Sequence, residues 1–232
     1  MKSILRILRT IRASLTRTLK PASSYWLPVR SMKPLSRKFG FDRGTPIDRY
    51  WIESFLDNNK SLIKGRCLEI TSDNYTMQFG GKRVAKCDVL DIDKNNKLAN
   101  IVGDIRNLKG IIADNTYDTI ILTHVLGLIN DYDSAIAETK RILKKGGHAL
   151  VTSSCFSPTY DKAANYWRFT PLGLQYAFTK HFNRQNIKTF SYGNVLTGMA
   201  FWVGMAQEEI ANKSLKINDP DFPCITGLIA KK

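Results

Sequence analysis

No stretch of this 232-residue chain reaches the eighteen or so consecutive apolar residues that a membrane-crossing helix needs. The longest apolar run, residues 195–206, is interrupted by Thr197, Gly198 and Gly204 and is expected to be a buried helix. Cysteine is scarce. Cys67, Cys87, Cys155 and Cys224 lie far apart, no CxxC pair occurs, and there are only three histidines. That excludes a disulfide framework and a zinc site, and predicts reduced, buried thiols in a cytoplasmic protein. The sequons at Asn74 and Asn212 then carry no glycan. Acid is missing from the first 38 residues, which hold ten basic ones: Lys2, Arg6, Arg9, Arg12, Arg17, Lys20, Arg30, Lys33, Arg37 and Lys38. The rest of the chain carries 25 basic and 20 acidic residues, so most of the net charge of +15 belongs to this one segment. A body so mildly basic argues against nucleic acid as the partner.

What the basic segment contains is a helical pattern. Ile4, Ile7, Leu8, Ile11, Leu15 and Leu19 fall within one arc at 100° per residue, with Lys2, Arg6, Arg9, Arg17 and Lys20 on the other side. Pro21 ends the pattern, and Pro28 and Pro34 keep the next stretch extended. Basic residues interrupt every candidate apolar core of a secretory signal. Three readings stay open: an interfacial anchor in which residues 1–20 meet an anionic membrane surface, a mitochondrial transit peptide, or a helix packed on protein. The expected organisation is residues 1–38 as basic segment and linker, and residues 39–232 as one α/β domain.

From Gly65 onward short apolar strands alternate with polar or helical stretches, the signature of a parallel sheet with crossover helices. Residues 46–56 predict a helix with Ile47, Tyr50, Trp51 and Phe55 on one face, Thr45 as its cap and Pro46 at its first position. Strands are expected at 66–70, 84–92, 100–102, 117–122, 148–152, 186–192 and 224–230. The helix over 134–143 is expected to stop at a glycine cap formed by Gly146 and Gly147.

Several pieces in order resemble the successive motifs of the class I S-adenosylmethionine (AdoMet) methyltransferases. They are Leu68-Glu69, then Asp91-Ile92-Asp93, then Gly103-Asp104, then the run from Tyr117 to Thr152 that ends KKGGHALVT. Tyr166-Trp167-Arg168-Phe169-Thr170, with residues 39–50 and 192–195, is similar to a subgroup associated with bacterial polysaccharide biosynthesis. The resemblance implies a Rossmann-like, seven-stranded, mostly parallel sheet with helices on both faces, and AdoMet as cofactor. It places Glu69, Ser72, Asp91, Asp93, Asp104 and Thr123 around the donor, with Asp93 or Asp91 taking the ribose hydroxyls and Asp104 the adenine. Each of these acids also reads as a strand-end carboxylate capping the next element. The family usually carries two or three glycines after the first strand. This chain has Ile70-Thr71-Ser72-Asp73-Asn74-Tyr75, with glycine only at Gly80 and Gly81.

On the acceptor side His124 follows the central strand and suits a base with a near-neutral pKa, or else caps the strand end. Asp161 is the second candidate catalytic residue. Tyr166, Trp167 and Arg168 suit a sugar, or a phosphate on it, by stacking and bidentate pairing, and equally suit core anchors with a structural cation. Residues 39–49 read as a lid or as the helix cap. The expected function is methyl transfer to a glycan or glycolipid at the inner membrane face. The alternatives are a non-catalytic methyltransferase-like module that has lost donor binding, and an RNA methyltransferase, which would want its basic residues spread over the domain.

Overall fold

The computed structural model describes residues 33–159 and 164–232, together with Ile11, Ser14 and Leu15. Those last three residues are helical and exposed. The remainder of the amphipathic pattern, and Asp161, lie outside the described residues. Two compact units emerge, residues 52–191 with 225–232, and residues up to 51 with 192–224.

The larger unit is built on a seven-stranded sheet in the order β3-β2-β1-β4-β5-β7-β6. Its strands are β1 (Gly65–Ile70), β2 (Val84–Asp91), β3 (Ile101–Val102), β4 (Tyr117–Thr123), β5 (Leu143–Ser154), β6 (Ile187–Tyr192) and β7 (Ile225–Lys231). β1 pairs parallel with β2 on one side and β4 on the other; β2–β3 and β4–β5 are also parallel, and β5–β7 is antiparallel. The strand order therefore reverses beside β1. Exits on either side of such a switch point diverge and leave room for a ligand beyond the carboxyl ends.

Period-two alternation gives the sheet two faces. Leu68, Ile120, Leu122, Ala149, Val151 and Leu228 pack with Ile136 of helix α2 (Tyr132–Ile142) and Phe178 of helix α3 (Pro171–Thr179). The opposite face meets Phe55 of helix α1 (Ile47–Asn58); a Cβ on Gly227 would lie 2.7 Å from that ring. Helices thus cover both faces, as expected.

Three local expectations need correction. α2 ends at Ile142 with Leu143 extended, and no glycine caps it. Leu143 pairs with Tyr117 and His148 with Thr119, so residues 144–147 form an excursion inside β5. Gly146 turns it at φ +78°, and a Cβ on Gly147 would sit 3.0–3.1 Å from three carbonyl oxygens. Helix α1 begins at Ile47, and Thr45 Oγ1 donates to Glu208 at 2.8 Å, with no capping bond from it to the helix. Residues 195–206 are only half buried. Helix α4 (Val195–Val203), capped by Asn194, buries Thr197, Ala200 and Phe201 but exposes Val195, Leu196, Met199 and Trp202.

That last helix belongs to the smaller unit, where loops interlock over close backbone approaches. Arg43 is wholly buried and its Nε donates to Glu209 at 2.9 Å, while Gln207 N donates to Thr45 O at 2.7 Å. A short helix α5 (Asn212–Lys216) is fastened to α4 by Asn194 Nδ2, which donates to Ser214 O and Ile217 O. All four cysteines are free; Cys67 and Cys224 are buried and the other two half-buried. No helix among the described residues is long and apolar enough to cross a membrane.

Candidate active site

The candidate residues gather at the carboxyl-terminal edge of the sheet, beside the β1 switch point. Glu69, one residue from the end of β1, is 2% exposed. Its carboxylate turns back under the following loop and accepts from Tyr75 N at 3.2 Å and Thr76 N at 2.7 Å. Burial pushes its pKa up, and the bonds from Thr76 and Tyr75 offset only part of that. Glu69 therefore shapes the loop from within it.

Thr71 opens that loop in a left-handed conformation, φ +65°, which a β-branched residue adopts only under constraint. The constraint is visible. Thr71 N donates to Leu90 O at 3.0 Å, and Thr71 O accepts from Asn96 Nδ2 at 2.8 Å. The same amide donates to Asp91 Oδ2 at 2.6 Å, while Asp91 Oδ1 takes the Asp93 N–H at 2.9 Å. Asn96 thus laces the β1 and β2 exits together and occupies the buried Asp91. Sequence reasoning missed it; the available signal was the turn Asp93-Lys94-Asn95-Asn96, rich in side chains that bond nearby backbone. Asp93 stands outside this lacing, exposed. Its Oδ1 accepts from the backbone and side chain of Asn95, and its Oδ2 has no donor among the described residues.

Beyond β3, Asp104 is held by Arg106, whose Nε donates to Oδ2 at 2.9 Å. That hydrogen bond, more than the opposing burial, draws the Asp104 pKa down. Arg106 Nη1 also donates to Asn130 Oδ1 at 2.6 Å, and Asn130 O accepts from Trp167 Nε1 at 3.1 Å. A polar chain therefore runs from the β3 exit to the segment after β5. Arg106 and Asn130 were not read from the sequence.

On the β4 side, Thr123 ends the strand and His124 follows at φ +58°. His124 N donates to Thr152 O at 2.9 Å, and its Nδ1 lies 3.4 Å from Ser154 Oγ. Beside it, residues 166–169 lie as a strap across the β4 and β5 exits. Tyr166 N and Trp167 N both donate to Gly127 O, and Phe169 N donates to Ser154 O at 3.0 Å. A Cβ on Gly127 would meet Trp167 O at 2.9 Å, which explains glycine there. Trp167 and Phe169 both set their rings edge-on to Tyr132. Phe169 is a core anchor, whereas Tyr166 and Trp167 stay 53% and 41% exposed. Arg168 is half-buried between them. No group of side chains able to hold a metal ion occurs among the described residues.

Asp93 therefore leaves an exposed carboxylate at the β2 exit, next to the Thr71–Ser72 backbone. The architecture is that of the AdoMet-dependent methyltransferases. Residues 71–151 match the family model of the methyltransferase domain. Among solved structures, the chain is similar to an AdoMet-dependent methyltransferase from Archaeoglobus fulgidus (15% identity, TM-score 0.54, covering 79% of this chain and 94% of that one). It is also similar to one from Thermotoga maritima (13%, TM-score 0.53, 80% and 91%) and to the cyclase SpnF (13%, TM-score 0.51, 97% and 95%). At these identities the likeness is one of fold. A comparison with curated proteins found no match. The methyltransferase domain implies S-adenosylmethionine as its cofactor.

Proposed function

We propose that this protein is an AdoMet-dependent methyltransferase that modifies a glycan or glycolipid intermediate at the cytoplasmic face of a membrane. The observation that carries the donor half is Asp93, an exposed carboxylate with one uncommitted oxygen at the β2 exit, inside the segment that matches a methyltransferase domain. The donor would supply an electrophilic methyl group on sulfur. The protein's task is then to align an acceptor and take its proton. His124 would take the second role; its Nδ1 lies beside Ser154 and its backbone N–H is fixed by Thr152. Tyr166 and Trp167 offer aromatic faces for a sugar ring. Asp161 is the further candidate for proton transfer.

Asp93→Ala tests the donor half. Loss of a charge-assisted hydrogen bond is worth about 1.5–3 kcal/mol, so AdoMet affinity measured by calorimetry should fall roughly ten- to a hundredfold. The melting temperature should barely move, because the carboxylate is exposed. Equal binding by the variant would place the donor elsewhere.

The membrane half rests on the ten basic residues of positions 1–38, the domain proper being residues 39–232. Full-length protein should cosediment with anionic vesicles, less so as salt rises, and a chain lacking residues 1–24 should not. Sedimentation unchanged by the deletion would remove this half.

A second reading, a non-catalytic module, is favoured by the loop after β1: Glu69, Asp91 and Asp104 are already engaged by the protein, and residues 70–75 contain none of the glycines usual in the family that the chain resembles. Wild-type protein that gives no heat with millimolar AdoMet or its demethylated product would establish it.

A further inference from the structure

Among the described residues, four arginines wholly or partly withdrawn from solvent have carboxylate partners: Arg43 with Glu209, Arg66 with Asp88, Arg106 with Asp104, and Arg141 with Glu138 and Asp114. Arg168, also half-buried, differs from these four. Among the described residues no carboxylate lies within ion-pair reach of it. Its acceptors are all neutral: Trp167 O at 2.9 Å from Nη1, with Pro158 O at 3.3 Å and Asn165 Oδ1 at 3.1 Å from Nη2. A guanidinium has five N–H donors. Two of Arg168's, the Nε–H and the second Nη1–H, have no acceptor among the described residues, and Nε is enclosed away from solvent. Burial alone acts on its pKa, and lowers it.

Holding a cation in this state is unfavourable, because burial removes water and no described residue supplies a counter-charge. The segment that carries it is not loose. Gly127, Asn130 and Ser154 fix the residues on either side, so the guanidinium stays on the strap at the β4 and β5 exits. The aromatic side chains of Tyr166 and Trp167 flank it in sequence and remain exposed.

We propose that Arg168 is the receptor for an oxyanion on the acceptor, so that the molecule recognised is an anionic sugar carrying phosphate or carboxylate. A guanidinium with an Nη1–H left without an acceptor among the described residues suits such a group, which would supply the counter-charge through a short, charge-assisted bond. This rests on the glycan reading above and narrows it to one chemical class.

Calorimetry on the full chain tests it with three probes, glucose, glucose 6-phosphate and glucuronate, alone and with the demethylated donor present. At least one anionic sugar should bind ten- to a hundredfold tighter than glucose, and which of the two leads identifies phosphate or carboxylate. Arg168→Gln should abolish the preference. Arg168→Lys, which keeps the charge but loses the planar guanidinium and its bonds to Pro158, Asn165 and Trp167, should retain part of it and stands in if the glutamine variant fails to fold. Affinity for the demethylated donor should be the same in all three proteins. Wild type that does not prefer an anionic sugar would overturn the proposal, as would a preference that survives in Arg168→Gln or is undiminished in Arg168→Lys. Because the preference is read without donor as well, absent donor binding would sink the methyltransferase reading and leave this result standing on its own.

Discussion

Replacing Glu69 by alanine is expected to lower the unfolding free energy by about 3 kcal/mol and to weaken the donor together with the fold. The carboxylate is the acceptor for two backbone N–H groups, Tyr75 and Thr76, and the second is buried. Leaving an enclosed donor without a partner costs about 1–3 kcal/mol, and two are orphaned at once. The loss falls on the loop after β1, beside the β2 exit where the donor is proposed to settle. Urea denaturation and calorimetry with AdoMet should therefore both respond. Glu69→Gln keeps one carbonyl acceptor and should lose less than half as much stability. The sign with pH follows from the raised pKa. Glu69's own contribution is fully present below the ordinary carboxylate value and declines as pH rises through the folded one. An alanine variant as stable as wild type would show that the loop is held by something other than this carboxylate.

Asp88→Ala should cost a similar amount, about 3 kcal/mol, while leaving donor affinity unchanged. Asp88 is 1% exposed in mid-β2 and ties four neighbours. Oδ2 accepts from Arg66 Nε at 2.9 Å and Tyr117 OH at 3.1 Å, and Oδ1 from Asn100 Nδ2 at 2.8 Å and Lys86 Nζ at 3.0 Å. These partners lie at the starts of β1, β2 and β4 and just before β3, away from the exit edge. Removing the carboxylate strands the buried Tyr117 hydroxyl and a guanidinium that also lies 5.3 Å from the Tyr117 ring. Burial by itself would push the Asp88 pKa up; hydrogen bonds from Asn100, Lys86 and Arg66 overcome it and bring the value to about 2. A depressed carboxylate contributes stability that is present above its unfolded value and lost as pH falls through the folded one. Wild type should lose about 2 kcal/mol from this group between roughly pH 4 and pH 2, and Asp88→Ala should show no such component. Parallel acid titrations of the two proteins, followed by circular dichroism, measure it; identical curves would refute the assignment.

Most of the sheet could be read directly because parallel strands covered on both faces are continuous apolar runs. Tyr117–Thr123 needed nothing more than its own sequence. The β5 excursion could not be read so, since a lysine-glycine pair after a helix looks locally like a cap; only Leu143 pairing with Tyr117 reveals it as strand. Helix α3 went unread although Thr170 caps it and Pro171 opens it, a start signal in plain view. At the site, motif order placed the acids at strand ends, but what each carboxylate does depends on partners that the motifs do not include. Glu69 is turned inward by a loop, Asp91 is taken by Asn96, and Asp104 by Arg106. The left-handed backbones of Thr71 and His124 have no sequence signal, because neither residue type requires that conformation.

The chain of bonds from Asp104 through Arg106 and Asn130 to Trp167 joins the two sides of the exit edge. A ligand group that takes Asp104 as its acceptor must compete with the Arg106 guanidinium, and a displaced Arg106 no longer holds the Asn130 amide that sits over the strap. Occupancy on one side then changes the free energy of the strap on the other, and by thermodynamic necessity the strap's state changes affinity at Asp104 by the same factor. Two ligands bound across such an arrangement would not bind independently, whichever arrives first.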